Sequence, residues 1–266
     1  MKNKLLISKV VLFVAIMGGF VSHVFAEDFS TGYTPTLKPR ALTNTYSSDS
    51  INELPNGYGG KKKVEIYTDN NGNQISKEQK ERIDSLKKIY KKVTKEEKIY
   101  EALELMKGGL ADFSRNAIMG NNLTGKPMNV SFETLSKFGE AYSNFDALGW
   151  KKKERLYIYI NEKHQDAPAA ALAAILAHEA LHQDEFNSLN EETYAWTLEA
   201  AVWTQLTEKN PQYAESTHPL VLRENLLKKH FIKGNYTNKF IKKTVYSNPG
   251  YSNLPSRSPG FEDSDL

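Results

Sequence analysis

The chain has 266 residues, 39% apolar and 25% charged, which suits one folded domain with tails and excludes a wholly disordered protein. Its net charge of +3 is small for the length, and its lysines alternate with acids, so neither a nucleic-acid partner nor an anionic-membrane footprint is expected. Cysteine is absent, which excludes disulfides and thiolate zinc ligands and leaves nitrogen and oxygen donors for any metal.

Residues 1–26 carry Lys2, Lys4 and Lys9 ahead of an uncharged run from Val10 to Val21, then Val24-Phe25-Ala26 in the form of a small-x-Ala cleavage site. This is the layout of a secretory signal peptide. The apolar run is short for a bilayer span. The mature chain is therefore expected to be exported, secreted or periplasmic, without a stable membrane span. Residues 27–60, rich in Thr, Ser, Asn, Pro and Gly, read as a flexible linker or pro-like arm.

A folded domain is expected over residues 61–246. Val64 and Ile66 alternate before "DNNGN", the pattern of a hairpin whose turn tolerates positive φ. From Lys77 to Lys107 the apolar residues Ile83, Leu86, Ile89, Tyr90, Val93, Ile99, Leu103 and Met106 recur mostly every three or four positions. That spacing predicts an amphipathic helix, broken near Thr94 and ended by Gly108-Gly109. Residues 110–150 hold short helical pieces between Gly, Asn and Pro breaks. "RLYIYIN" (155–161) reads as a strand with Leu156, Ile158 and Ile160 on one face and Tyr157 and Tyr159 on the other. His164, at its end, reads as a surface loop residue.

"DAPAAALAAILAHEALHQ" follows, with Asp166 as a cap, Pro168 in the first turn and a helix-favouring alanine run. A second helix is expected over about 190–207 with Trp196 and Trp203 in the core, and a third from Thr217-His218-Pro219 onward. The turn-rich residues 247–266 read as a disordered tail. The expected class is α+β, mainly helical, with a small, largely antiparallel sheet beside the alanine-rich helix.

That helix ends in His178-Glu179-Ala180-Leu181-His182, the pattern H-E-x-x-H. Two histidines four apart share one helix face and can aim at one point. Glu179 is turned by roughly 100° from His178, beside that point. This suits two zinc ligands and a carboxylate that touches the attacking water as general base. The third ligand falls to Glu192 or Glu191 in "SLNEE". Ser188 lies three residues before Glu191, a capping-box spacing that would occupy Glu191 and leave Glu192 free. With Asn190 as the cap, the choice reopens. Glu199, two turns beyond Glu192, is the candidate to hold a histidine ligand from behind.

Over residues 155–200 the chain resembles the gluzincins, zinc peptidases with H-E-x-x-H and a glutamate ligand on a following helix. Glu192-Thr193-Tyr194-Ala195 resembles their E-x-x-A motif, and the short gap from His182 is similar to that of the compact minigluzincins. The resemblance implies His178, His182 and Glu192 (or Glu191) on Zn2+, Glu179 as the base, and a protein or peptide substrate. It also implies that 155–161 is the sheet edge along which substrate backbones lie. Trp196 departs from the Asp that some families place after that alanine. An oxyanion donor would come from His218, His230, Tyr236 or Tyr246. Two other classes compete: an inactive, zinc-stabilised binding protein of the same fold, and a metal-free scaffold anchored by an uncleaved N-terminus.

Overall fold

The computed structural model describes residues 66–69, 72–184 and 186–258, together with the backbone of Val11–Ala15. The expected arm at 27–60 and the rest of the expected signal peptide lie outside the described residues. The class is α+β and mainly helical.

In chain order, β1 (Val11–Ala15) precedes the hairpin β2 (Tyr67–Thr68) and β3 (Gln74–Ile75). Helix α1 (Lys77–Tyr90) starts on Ser76, whose hydroxyl accepts from Gln79 N while the Gln79 side chain accepts from Ser76 N at 2.8 Å. Both bonds satisfy amides that a helix start leaves open. The expected break at Thr94 separates α1 from α2 (Glu97–Leu105), and α3 (Asp112–Ile118) follows Gly108, at φ 63°. Strands β4 (Asn129–Glu133), β5 (Ala147–Lys152) and β6 (Arg155–Asn161) then form the main sheet, and the site helices follow: α4 (Ala169–Glu179), α5 (Leu189–Lys209), α6 (Pro219–Lys233) and α7 (Lys239–Ser247).

The main sheet has the order β1-β5-β6-β4. β5 pairs antiparallel with β6, with Gly149 opposite Ile158, and β4 pairs parallel with β6, with Val130 opposite Ile158. Hence "RLYIYIN" is an interior strand, not the expected sheet edge. Its backbone is hydrogen-bonded on both sides, and the alternation in its sequence reports which face is buried, not whether a neighbour is present. Leu156, Ile158 and Ile160 enter the core as expected.

Helix α4 lies at the centre, against α2, α3, α5, α6 and β5. Every residue from Ala170 to Glu179 is buried, so the helix is enclosed rather than amphipathic. The alanines let neighbouring backbones approach, while Leu172, Ile175 and Leu176 fill the gaps; each such aliphatic burial contributes about 1.5–3 kcal/mol. Pro168 is the cap rather than a first-turn residue, and no side chain caps the helix. Asp166 is turned to solvent and pairs with His218 at 3.3 Å.

Trp196 and Trp203 are fully buried, as expected. Trp196 packs with Leu227, Phe231, Ile241, Val245 and Tyr251 and donates its indole N–H to the Tyr251 hydroxyl at 3.1 Å. Here the sequence expectation of a disordered tail from residue 247 fails over 247–258. Tyr251 is a core residue, and the carbonyls of Pro255 and Ser256 accept from Leu189 N at 2.9 Å and Asn190 N at 3.2 Å. The chain end thus occupies the open amides of the α5 N-terminus, a pairing that Pro- and Ser-rich composition does not reveal. Residues 259–266 lie outside the described ones.

Candidate metal centre

The centre lies where the end of α4 meets the start of α5. Helix α4 stops at Glu179, one turn earlier than the sequence suggests. Ala180 N donates to Leu176 O, the last i to i+4 bond, and Leu181 N donates to His178 O, a tightened i to i+3 turn, so His182 sits just past the helix. Side chains take the last carbonyls in place of a continued ladder: Ser114 donates to Ala177 O at 3.0 Å and Gln183 to Ala180 O at 3.1 Å. The imidazoles still converge, with ring centroids 5.3 Å apart.

His178, His182 and Glu192 present ligand atoms that all lie within 4.8 Å of one another, and all three are buried. His178 Nε2 is 3.7 Å from Glu192 Oε2, and His182 Nε2 is 3.6 Å from Glu192 Oε1. These separations are too long for hydrogen bonds. Two ligands at about 2.0–2.2 Å from one tetrahedral ion stand roughly 3.3–3.6 Å apart. The three side chains are spaced to share a cation rather than to bond to each other, and this group could hold a metal ion.

Each of these three is oriented from behind. His178 Nδ1 meets Glu199 Oε2 at 2.9 Å, and His182 Nδ1 meets Glu191 Oε1 at 2.9 Å. A carboxylate on Nδ1 fixes the ring and turns the Nε2 lone pair toward the shared point. Glu192 Oε1 accepts from Asn187 Nδ2 at 2.6 Å, leaving Oε2 without a hydrogen-bond partner. Glu191 therefore stands behind His182, and Glu192 is the one that faces both imidazoles. The capping box that favoured Glu192 is only half formed. Ser188 accepts from Glu191 N, but the Glu191 carboxylate turns to His182 and to the Ser258 hydroxyl, at 3.1 Å.

Glu179 is wholly buried beside this point, with Oε1 3.9 Å from His178 Nε2 and neither oxygen hydrogen-bonded. Burial pushes its carboxyl up to about 7, against the pull of His178 and His182. Burial lowers His182 basicity, yet Glu191, Glu192 and Glu179 outweigh it and push the imidazole up to about 9. Four glutamates around two imidazoles make an excess of buried negative charge. A divalent cation would satisfy that excess in place of a proton.

Behind Glu199 lies a second buried layer that the sequence reading missed. Arg223 grips Glu199 with two bonds, at 2.6 Å and 3.1 Å, bonds Glu224 at 2.9 Å, and lies 3.4 Å from Asp146. Asp146 in turn receives His164 Nε2 at 2.7 Å. His164, read as a surface residue, is 1% exposed. Arg223 and Glu224 were legible in principle. They fall with Leu220, Leu227 and Phe231 on one helical stripe, where an isolated charge must be paired. Asp146 and His164 carry no such local signal.

The four candidates for an oxyanion donor have other engagements. His218 accepts from Leu220 N through Nδ1 at the start of α6, Tyr246 donates to Asn190, and Tyr236 packs its ring on Phe231. His230 lies in the last turn of α6. A cavity of about 500 Å³ between the β2–β3 hairpin, α1, α2 and β4 is lined by Arg82, Ile83, Glu97, Glu101 and Phe132 and contains none of the cluster. Compared with known proteins, the chain matches no family model, no curated protein and no solved structure.

Proposed function

We propose that this chain is an exported zinc-dependent metallopeptidase of the gluzincin type, acting on proteins or peptides. The observation that carries the reading is the convergence of His178 Nε2, His182 Nε2 and the Glu192 carboxylate, with Glu179 beside them and a carboxylate behind each imidazole. Two imidazoles and one carboxylate are the donor set of a peptidase zinc site. A bound zinc ion would acidify its water and polarise the substrate carbonyl. Glu179 accepts the proton of the attacking water and returns it to the departing amine. Glu199 and Glu191 hold the imidazoles in the tautomer that binds metal, and Asn187 orients Glu192. Export rests on the N-terminal layout; its expected product begins at Glu27, lacks β1 and leaves β5 as an outer strand of the main sheet.

Purified protein stripped with a chelator and reloaded with zinc tests this on a mixed protein substrate, beside Glu179→Gln. The reading expects about one zinc per chain, activity that follows the metal, and a loss of about 10²–10⁴-fold in the variant with zinc retained. Equal, metal-independent hydrolysis by both proteins rejects it. A second reading has its own support: His178, Glu179 and Glu192 are 0% exposed, as in a closed structural zinc site. It expects stoichiometric zinc, no hydrolysis, and a melting temperature that falls on chelation.

A further inference from the structure

The small net charge of the whole chain conceals a segregation within it. Between Asn225 and Ser258 there is no Asp or Glu, while six lysines fall between positions 228 and 243. Helices α6 and α7 contain all six. Lys228 is partly buried and donates to Thr207 at 2.8 Å. The other five are exposed.

Their spacing gives the two helices the same stripe. Lys229, Ile232, Lys233 and Tyr236 fall at i, i+3, i+4 and i+7, and ten residues later Lys239, Lys242, Lys243 and Tyr246 repeat the pattern. Within a helix such positions share a face, which joins Lys229, Ile232 and Lys233 on α6 and Lys239, Lys242, Lys243 and Tyr246 on α7; Tyr236 lies in the turn just past the end of α6. All eight side chains are exposed, Tyr236 at 58%, Tyr246 at 44% and Ile232 at 41%. The two stripes adjoin: Lys233 of α6 lies 5.1 Å from the centre of the Phe240 ring on α7, and Lys239 flanks the same ring at 5.8 Å. Among the described residues no carboxylate pairs with any of these lysines. On α1, Lys77 and Lys80 pair with Glu81 and Asp84 one turn on, while Lys87, Lys88 and Lys91 at its end are exposed and, among the described residues, likewise without a carboxylate. What sets the tip apart is two adjoining rows flanked by exposed aromatics.

The turn at the tip adds a separate sign. Asn235 and Tyr236 both have positive φ, 56° and 61°. For tyrosine this conformation is strained. The Tyr236 ring packs edge-on against Phe231 yet stays 58% exposed at the tip.

We infer that the α6–α7 tip is a docking surface for an anionic lipid bilayer. Lysines gather at acidic headgroups while their stems lie along apolar surface, and tyrosine rings settle at the headgroup level. Ile232 and Phe240 supply the shallow apolar contact that holds a helix face in the interface. A nucleic acid would use the lysines and stack on the tyrosines but has no use for the exposed Ile232, so the lipid surface accounts for more of the patch. This surface is independent of the metal centre's chemistry.

The test is co-sedimentation of the full chain with vesicles of phosphatidylcholine alone and with vesicles containing phosphatidylglycerol. Wild type is compared with K239Q/K242Q/K243Q and with K87Q/K88Q/K91Q, an equal charge change on α1 and its cap. All three share one N-terminal segment, so its own lipid affinity cancels. Each surface lysine accounts for about a fivefold change in partition, so the α7 variant should lose about 100-fold on anionic vesicles while the α1 variant stays near wild type. Raised salt should weaken wild type toward the α7 variant. As a second readout in an otherwise intact tip, Tyr236→Trp should shift its emission to the blue on anionic vesicles alone. Equal binding by the two lysine variants, or no emission shift, overturns the inference. So does binding of a single-stranded oligonucleotide without preference for anionic vesicles.

Discussion

Glu191 and Glu192 are adjacent and chemically identical, yet the turn of the helix between them sends one behind His182 and the other to the point both histidines face. The two positions should therefore fail differently. On the proposed zinc reading, Glu191→Gln and Glu199→Gln should each weaken zinc binding by about 10–100-fold with one ion still bound at saturation, in competition against a chromophoric chelator. Glu192→Gln should cost more than either, because it removes a ligand. A larger loss from Glu191→Gln would reverse the assignment. Most of this site was legible as sequence. The H-E-x-x-H spacing, the paired glutamates and the i+7 position of Glu199 all point inward in a helical reading. What was not legible is the early end of α4, since Ser114 and Gln183 take its last carbonyls through contacts made only in the folded chain.

Among the elements, α6 holds the site through charge rather than through packing alone. Arg223 is buried among Glu199, Glu224 and Asp146, and these partners hold its guanidinium in the charged form despite burial. Removing one member of such a set leaves the others buried and unpaired. Arg223→Met should destabilise the protein by about 3–5 kcal/mol in chemical denaturation, and Arg223→Lys should recover little, since lysine cannot reproduce the two-pronged grip on Glu199. Glu224 gives the pH dependence. Burial and the neighbouring Glu199 push its carboxyl well above the usual range, with Arg223 pulling the other way. The folded chain thus keeps a proton that the unfolded chain releases above its ordinary value of 4.5. Stability from this group is present below that pH and is lost as pH rises through the folded value. Glu224→Gln keeps the neutral, bonded form at every pH. Its stability relative to wild type should rise steadily from pH 4.5 toward neutrality, and a flat difference would show that Glu224 is ionised in the fold. The same elements mark where periodicity stops informing. It gave the helices and β6 but neither of its neighbours: β5 is the other arm of a tight hairpin, Lys152 opposite Arg155, and β4 pairs in parallel from 28 positions away, Asn129 opposite Tyr157.

At the scale of the whole molecule, the C-terminal segment is part of the domain. Tyr251 is 1% exposed against Trp196, and Ser258 touches Glu191. Tyr251→Ala should cost about 3–5 kcal/mol by leaving a large cavity and an unpaired indole N–H. Removal of residues 249–266 should also reduce zinc affinity, because the α5 amides lose their carbonyl partners and Glu191 loses a donor. Both effects are read by thermal melts with and without zinc.

The two histidines and the three glutamates that orient or face them all come from a single helical hairpin, the most distant bonded pair being His178 and Glu199, 21 positions apart. Loop closure over so short a span is entropically cheap, so this corner, like the paired strands β5 and β6, can assemble early in folding. A cation arriving early would clasp the nascent hairpin and bias the rest of the search. Refolding should accelerate when zinc is present at the start, and not when it is added after collapse.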